Sequence, residues 1–399
     1  MRKDVDKIIA NLIKHINPYD ITAQALGSFN FREGKKILIS IGKAAYDMAK
    51  AVSDNLDIDY GAVITKYGHS KGEIDNIKIF EAGHPIVDEN SIKATDYVLN
   101  ITSDLNENDN VIFLISGGGS ALFEKPLVPL NVLQDINDQL LKSGANINEI
   151  NTIRKRLSSV KAGKFAMHIR PAHIYSLILS DVLGNDLSTI ASGPIFNDIT
   201  TSKQALDIID RYNIKINDEV RLLLNKDSVN NIDNVEYKVI GSVSMLCEYT
   251  KTICESLGYK MNIVDDKCVG EARDIGRLLA SYASDLENNS GIIMGGETTV
   301  SVKGNGLGGR NSELALASSK YLKGIDNCCV FAFGSDGTDG PTDAAGGYVD
   351  SKTCEMIDVD YYLDNNDAYN GLKKTGGLII TGPTGSNIND VYVLLKKGE

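Results

Sequence analysis

Short apolar runs alternate along this chain with longer amphipathic stretches. KKILISI (35–41), GAVITKYG, IKIFEAG, NVIFLISGGGS and HIYSLILSDVLG read as strands, several of them apolar almost throughout, the pattern of strands covered on both faces. Between them, KAAYDMAKAVSDNL, ENSIKATDYVLNIT, LNVLQDINDQLLKSG and INEINTIRKRLSSVKAGKFAMHI read as helices. Strands alternating with helices predict an α/β fold with a parallel sheet between helical layers. At the start, Val5, Ile8, Ile9, Leu12, Ile13 and Ile16 recur at helical spacing, which predicts an amphipathic helix ended by Asn17-Pro18.

The chain turns polar and Asn-rich between Ser228 and Asn234, which places a domain boundary there, with domains at 1–234 and 235–399. The second part continues with the strand EYKVIGS, a helix through Cys254, the strand YKMNIVD and a helix through Leu279. GIIMGGETTVSV, a helix in RNSELALASSKYL, the strand NCCVFAFGSDG, and GLIITGPTGSNINDVYVLL follow.

Composition narrows the function classes. The 399 residues are 42% hydrophobic and 24% charged, as in a soluble globular protein. No apolar run approaches the roughly 20 residues of a membrane span, and the charged first residues lack a signal-peptide core. None of the six cysteines sits in a C-x-x-C pair or near a His at zinc spacing, so free buried thiols in a reducing cytoplasm are expected. A formal charge of −12 argues against nucleic-acid and membrane partners. An acidic chain that handles a small anion must then build positive potential locally.

The candidates for that task lie where strands stop, at Ile41-Gly42-Lys43, Ser116-Gly117-Gly118-Gly119-Ser120, Ser180-Asp181, Gly295-Gly296-Glu297, Gly334-Ser335-Asp336 and Thr381 to Asn387. Ligands of open α/β sheets bind at the carboxyl ends of strands, and Gly lets backbone approach a phosphate. Ser116 to Ser120 is the best phosphate cradle, with Gly296, Glu297, Asn311, Thr384 and Asn387 as further binding candidates. Lys43 opens a helix after a strand and a Gly, outside any Walker A pattern. Arg310 in GLGGRN could clamp a carboxylate or phosphate at two points. Asp181 and Asp186 could hold Mg²⁺, supply a general base, or cap turns. Arg154, Lys155, Arg156, Lys161 and Lys164 read as a solvated helical face. His84 in EAGHPIVDEN fits a structural hydrogen bond as well as chemistry. The acidic glycine loop FGSDGTDGPTDAAGGYVD offers Asp336, Asp339 and Asp343 as metal ligands. Cradles, well-placed cations and carboxylates are the parts phosphoryl transfer needs.

IGKAAYDMA, EAGHPIVDENS, ISGGGSALFEKP, NTIRKRLSSVKAGKFA, LSDVLGNDLSTIASGP, GGETTVSVKGNGLGGRNSELAL, GSDGTDGPTDAAGG and TGPTGSNINDV together resemble the glycerate 2-kinase family, whose C-terminal part is called MOFRL. The resemblance runs in order over nearly the whole chain. It implies ATP- and Mg²⁺-dependent phosphorylation of D-glycerate to 2-phosphoglycerate. It also implies a Rossmann-like N-terminal domain, a smaller C-terminal α/β domain, and an active site in the cleft between them. It places active-site roles on Lys43 and Arg310. Ser312 and Ser386 depart from the family's usual Gln and Thr but stay polar. The partners implied are D-glycerate and ATP and, at most, further copies of the chain. The alternatives are a kinase for another hydroxy acid or sugar acid, a non-catalytic sugar-acid sensor, and a hydroxypyruvate reductase. The last would need a nicotinamide site, and G-x-G-x-x-G is absent because Leu122 stands where its last Gly should be.

Overall fold

The computed structural model describes residues 1–226, 228 and 231–398; part of the Asn-rich boundary segment lies outside them. The chain forms two compact units, Pro18–Ile240 and Met1–Asn17 with Gly241–Glu399.

The first unit is built on strands β1 (Lys36–Ile41), β2 (Tyr60–Lys66), β3 (Ile77–Ala82), β4 (Asn110–Ile115), β5 (His173–Leu179) and β6 (Val235–Gly241), in the order β3-β2-β1-β4-β5-β6. β1 to β5 pair in parallel, with Ile37 opposite Tyr60 on one side and Val111 on the other. This is the strand order of the Rossmann fold, which reverses direction between β1 and β4. Ile37, Ile39, Ile41, Val111, Phe113 and Ile115 form one buried face. Ala94 and Val98 of the helix Glu89–Ile101 and Phe165 of the helix Lys164–Ile169 pack on it. Alternation sends Leu38 and Ser40 to the opposite face, where both are also buried.

Two local outcomes differ from the sequence reading. Residues 147–169 do not form one helix. They break into Ile147–Arg156 and Lys164–Ile169, because Ala162 and Gly163 take φ of 55° and 76°, which an α-helix cannot contain. The helices Ser202–Arg211 and Asp218–Leu224 were not anticipated. With Leu130–Lys142 and Ile147–Arg156 they enclose a separate core around Leu133, Ile153, Ile208 and Val220.

The second unit carries β7 (Lys260–Glu271), β8 (Ser290–Thr299), β9 (Cys328–Gly334), β10 (Gly346–Asp350), β11 (Leu378–Ile379) and β12 (Asp390–Lys396), in the order β11-β10-β9-β12-β8-β7. β7 and β8 are parallel and every other pairing is antiparallel, so this is a mixed sheet. The helix Arg310–Leu322 is buried along most of its length against the sheet. The N-terminal helix Arg2–His15 belongs to this unit. Its Asp4 accepts from Tyr259 and pairs with Lys397, each at 2.8 Å.

Candidate active site

In the first unit, Lys43 and the Ser116–Ser120 loop meet where the sheet reverses. Gly42 has φ of 117°, and a β-carbon there would lie 2.2 Å from Ser116 Oγ, so only Gly permits this crossing. Lys43 N donates to Gly117 O at 2.9 Å, and Ala44 N to Ser116 Oγ at 3.1 Å. Ser116 Oγ also bonds Ile41 O at 3.2 Å, so its hydroxyl ties β1 to β4. A β-carbon on Gly118 would lie 3.0 Å from the His84 ring and 3.5 Å from Lys43 Cγ, so these three groups share one corner. No ion pair among the described residues engages Lys43. Burial, then the positive charges of Lys43, Lys66 and His69, push His84 down to about 4. It is therefore a neutral imidazole at pH 7, and its place beside Lys43 makes it a member of the candidate site.

Asp181 sits half-buried just past β5, the strand next to β4. Asp186 is exposed and accepts from Ser188 N at 3.0 Å, a turn cap. Ser120 is anchored from behind. Its carbonyl accepts from Lys161 Nζ at 2.8 Å and Arg154 Nη2 at 3.2 Å, and its hydroxyl contacts Ser192 Oγ at 2.9 Å. Lys161 and Glu124 are fully buried and 3.1 Å apart. The expected solvated face is thus corrected: Lys155, Arg156 and Lys161 are all within the protein. A helical charge pattern does not reveal that Asp198, Thr200 and Ser228 meet Lys155 and Arg156, or that Glu124 meets Lys161.

In the second unit, Arg310 begins its helix with the fork occupied. Nε and Nη2 donate to Asp390 at 2.6 and 3.2 Å, and Nη1 donates to Glu297 at 2.8 Å. Asp390 is 2% exposed. Burial raises its carboxyl to about 6, against the opposing pull of Arg310. Burial also opposes the Arg310 charge, but Asp390 and Glu297 outweigh it and hold the guanidinium ionised. Asp390 is absent from the sequence reading, since an acid at a strand start carries no sign of its distant partner. Asn311 is buried with its amide on Asp390. Gly296 is explained by packing, since a β-carbon there would lie 2.0 Å from Cys268 O of β7.

The acidic loop joins β9 to β10, a strand the sequence reading left inside the loop. Its three aspartates do not converge. Both Asp339 oxygens receive the N-terminus of the Arg310 helix, from Asn311 N at 2.9 Å and Ser312 N at 2.7 Å, with Ser312 Oγ added. Asp336 accepts from Thr338 N at 2.9 Å, and Asp343 from the Tyr369 hydroxyl at 2.8 Å. Among the described residues no group of three or more His, Cys, Asp or Glu is placed to hold a metal. The trio therefore does not fit a metal cage. Thr384 N donates to Asp336 O at 3.1 Å, its hydroxyl bonds Ser335 O, and Asn387 lies half-buried in the same loop. A cavity of about 640 Å³ opens here, lined by Gly308, Gly309, Arg310, Asp336, Thr338 and Asp339 among others. Asn366 shapes its wall by accepting from Lys303 N and Gly304 N at 2.7 and 3.0 Å. A volume of this order suits a small organic ligand.

Two family models match the chain, "Domain of unknown function (DUF4147)" over residues 4–225 and "MOFRL family" over residues 290–390. The chain is 45% identical to D-glycerate 2-kinase of Thermotoga maritima over 98% of both chains. It is 40% identical to glycerate 2-kinase of Pyrococcus horikoshii, covering 98% of this chain and 96% of that one. The crystal structure of glycerate kinase from Thermotoga maritima superposes with a TM-score of 0.96 over 99% of each chain.

Proposed function

The chain belongs to the DUF4147/MOFRL glycerate 2-kinase family, and from that premise we propose that it transfers the γ-phosphoryl group of ATP to the 2-hydroxyl of D-glycerate. The observation that carries this reading is the 45% identity over 98% of a D-glycerate 2-kinase. The corner formed by Lys43, the Ser116–Ser120 loop and His84 supports it.

In the reaction the 2-hydroxyl oxygen bonds the γ-phosphorus, the bond to the β,γ-bridging oxygen breaks, and ADP leaves. The hydroxyl proton passes to a base, a role we assign to Asp181. Negative charge spreads over the transferring group, so preorganised cations are the chief aid. Lys43 supplies one from the first unit. Arg310 supplies the other, held rigid by Asp390 and Glu297 with an N–H left on each of Nη1 and Nη2. His84, being neutral, donates or accepts a hydrogen bond without adding to the charge. Mg²⁺ enters as part of the nucleotide substrate, because it binds mainly through substrate phosphates and one or two carboxylates.

The test is regiochemical. With D-glycerate and MgATP, coupling to enolase without phosphoglycerate mutase should give signal at once, as 2-phosphoglycerate requires. Signal only after mutase is added would mean the 3-phosphate and would overturn the assignment.

A further inference from the structure

The helix Ile147–Arg156 carries Asn151 and Arg154 one turn apart, and both reach toward Ser120. Ser192 Oγ donates to Asn151 Oδ1 at 3.1 Å and contacts the Ser120 hydroxyl at 2.9 Å. Arg154 Nη2 donates to Ser120 O at 3.2 Å, the one hydrogen bond its guanidinium makes among the described residues. Nε is buried with no partner, while Nη1, also without one, is not closed off from solvent. No ion pair among the described residues engages Arg154.

Holding the loop does not account for this residue. Ser120 O has a shorter donor in Lys161 Nζ at 2.8 Å, and Lys161 is the cation that pairs with buried Glu124 at 3.1 Å. Burial opposes the Arg154 charge, and Glu124 favours it without forming an ion pair. Arginine does not shed its proton in a protein. A half-buried guanidinium with most of its N–H groups unused is therefore a donor set that lacks its acceptor.

Lys43 and Arg154 address the two ends of one loop, Lys43 N at Gly117 O and Arg154 at Ser120 O. The reaction proposed above gives Lys43 and Arg310 to the transferring phosphoryl group, which leaves the carboxylate of D-glycerate without a cation. A guanidinium offers paired N–H groups that match the two oxygens of a carboxylate. The 2-hydroxyl sits on the carbon next to that carboxylate and the 3-hydroxyl one carbon farther. Gripping the carboxylate beside the loop therefore selects which hydroxyl is presented.

We propose that Arg154 binds the carboxylate of the acceptor and so sets the preference for a 2-hydroxy acid. The identity of that ligand rests on the kinase reading; the unused donors of Arg154 do not.

Steady-state kinetics of the full chain test this with D-glycerate and with glyceramide, its neutral amide, at saturating MgATP. Arg154→Gln should raise the KM for D-glycerate by about 10- to 100-fold, the size of a lost hydrogen bond to a charged group. The KM for MgATP should stay within about twofold. The preference for D-glycerate over glyceramide, read from glyceramide as competitor, should fall by the same factor as the D-glycerate KM rises. Arg154→Lys keeps a charge and a donor for Ser120 O, which guards against misfolding. Lacking the fork, it should show the same split between the two KM values, to a smaller extent. An unchanged KM for D-glycerate in both variants overturns the proposal. Equal losses for D-glycerate and glyceramide also overturn it, since they mean a structural role, and so does a raised KM for MgATP alone, which would assign Arg154 to a nucleotide phosphate. A wild-type chain inert toward D-glycerate would instead remove the kinase reading, and the ligand of Arg154 with it.

Discussion

Replacing Arg310 by Ala separates a catalytic role from a structural one. A cation at a helix start on the surface would cost little stability when removed, but Arg310 is the counter-ion of Asp390, a carboxylate 2% exposed. Even with Arg310 present, burial lifts Asp390 from 3.8 to about 6, a penalty of about 3 kcal/mol on its ionised form at neutral pH. Deleting one partner of a fully buried pair costs roughly 3–5 kcal/mol. The Arg310 side chain is 31% exposed, so solvent screens the pair and about 2–3 kcal/mol is expected. At about 2–4 °C per kcal/mol for a unit of this size, the unfolding midpoint of Arg310→Ala should fall by about 5–10 °C. The pH dependence gives the sharper signature. Asp390 has a raised folded pKa, so wild-type stability on its account is full below 3.8 and is lost as pH rises through about 6. Without Arg310 that carboxyl must hold its proton to a higher pH still. The gap between variant and wild type should therefore be small near pH 4 and open as pH rises past 6. Thermal scans from pH 4 to 8 read it directly. An unchanged midpoint, or a gap of equal size at pH 4 and pH 8, would refute the reasoning. Arg310→Lys should recover part of the stability but little of the turnover, since a point charge cannot reproduce the fork.

Lys43→Ala should keep a near-normal melting midpoint, because no ion pair among the described residues engages Lys43. It should lose roughly 10²-fold in kcat if the charge supplies about 3 kcal/mol to the transition state; wild-type kcat at saturating substrates would remove it from the mechanism. His84 should titrate near 4 by NMR, so its contribution to stability is present above 6.5 and is lost as pH falls toward 4. A midpoint near 6.5 would mean that it is not buried beside Lys43. Excess EDTA should abolish turnover and Mg²⁺ restore it, while Asp339→Asn should lower stability without changing the Mg²⁺ dependence, as suits a helix cap. A raised Mg²⁺ requirement in that variant would return Asp339 to the metal.

The strands of the first unit and the glycine turns that follow them were legible because both are local. A continuous apolar run makes a buried strand wherever it is placed, and Gly42 and the Ser116–Ser120 glycines announce a close approach by composition alone. The mixed sheet of the second unit was not legible. Gly346-Gly347-Tyr348-Val349-Asp350 looks like more of the acidic loop until β9 and β11 pair with it. The N-terminal helix showed its apolar stripe but not its destination, which Tyr259 and Lys397 settle from the far end of the chain. Charges were the least legible of all. Asp339 read as a metal ligand and is a helix cap, Arg310 read as a free fork and holds a buried acid, and Lys155, Arg156 and Lys161 read as solvated and lie inside. Burial decides each of these. It is the sum of contacts from segments tens to hundreds of residues away, so a residue's spacing in its own segment reports its face of a helix but not whether that face meets water.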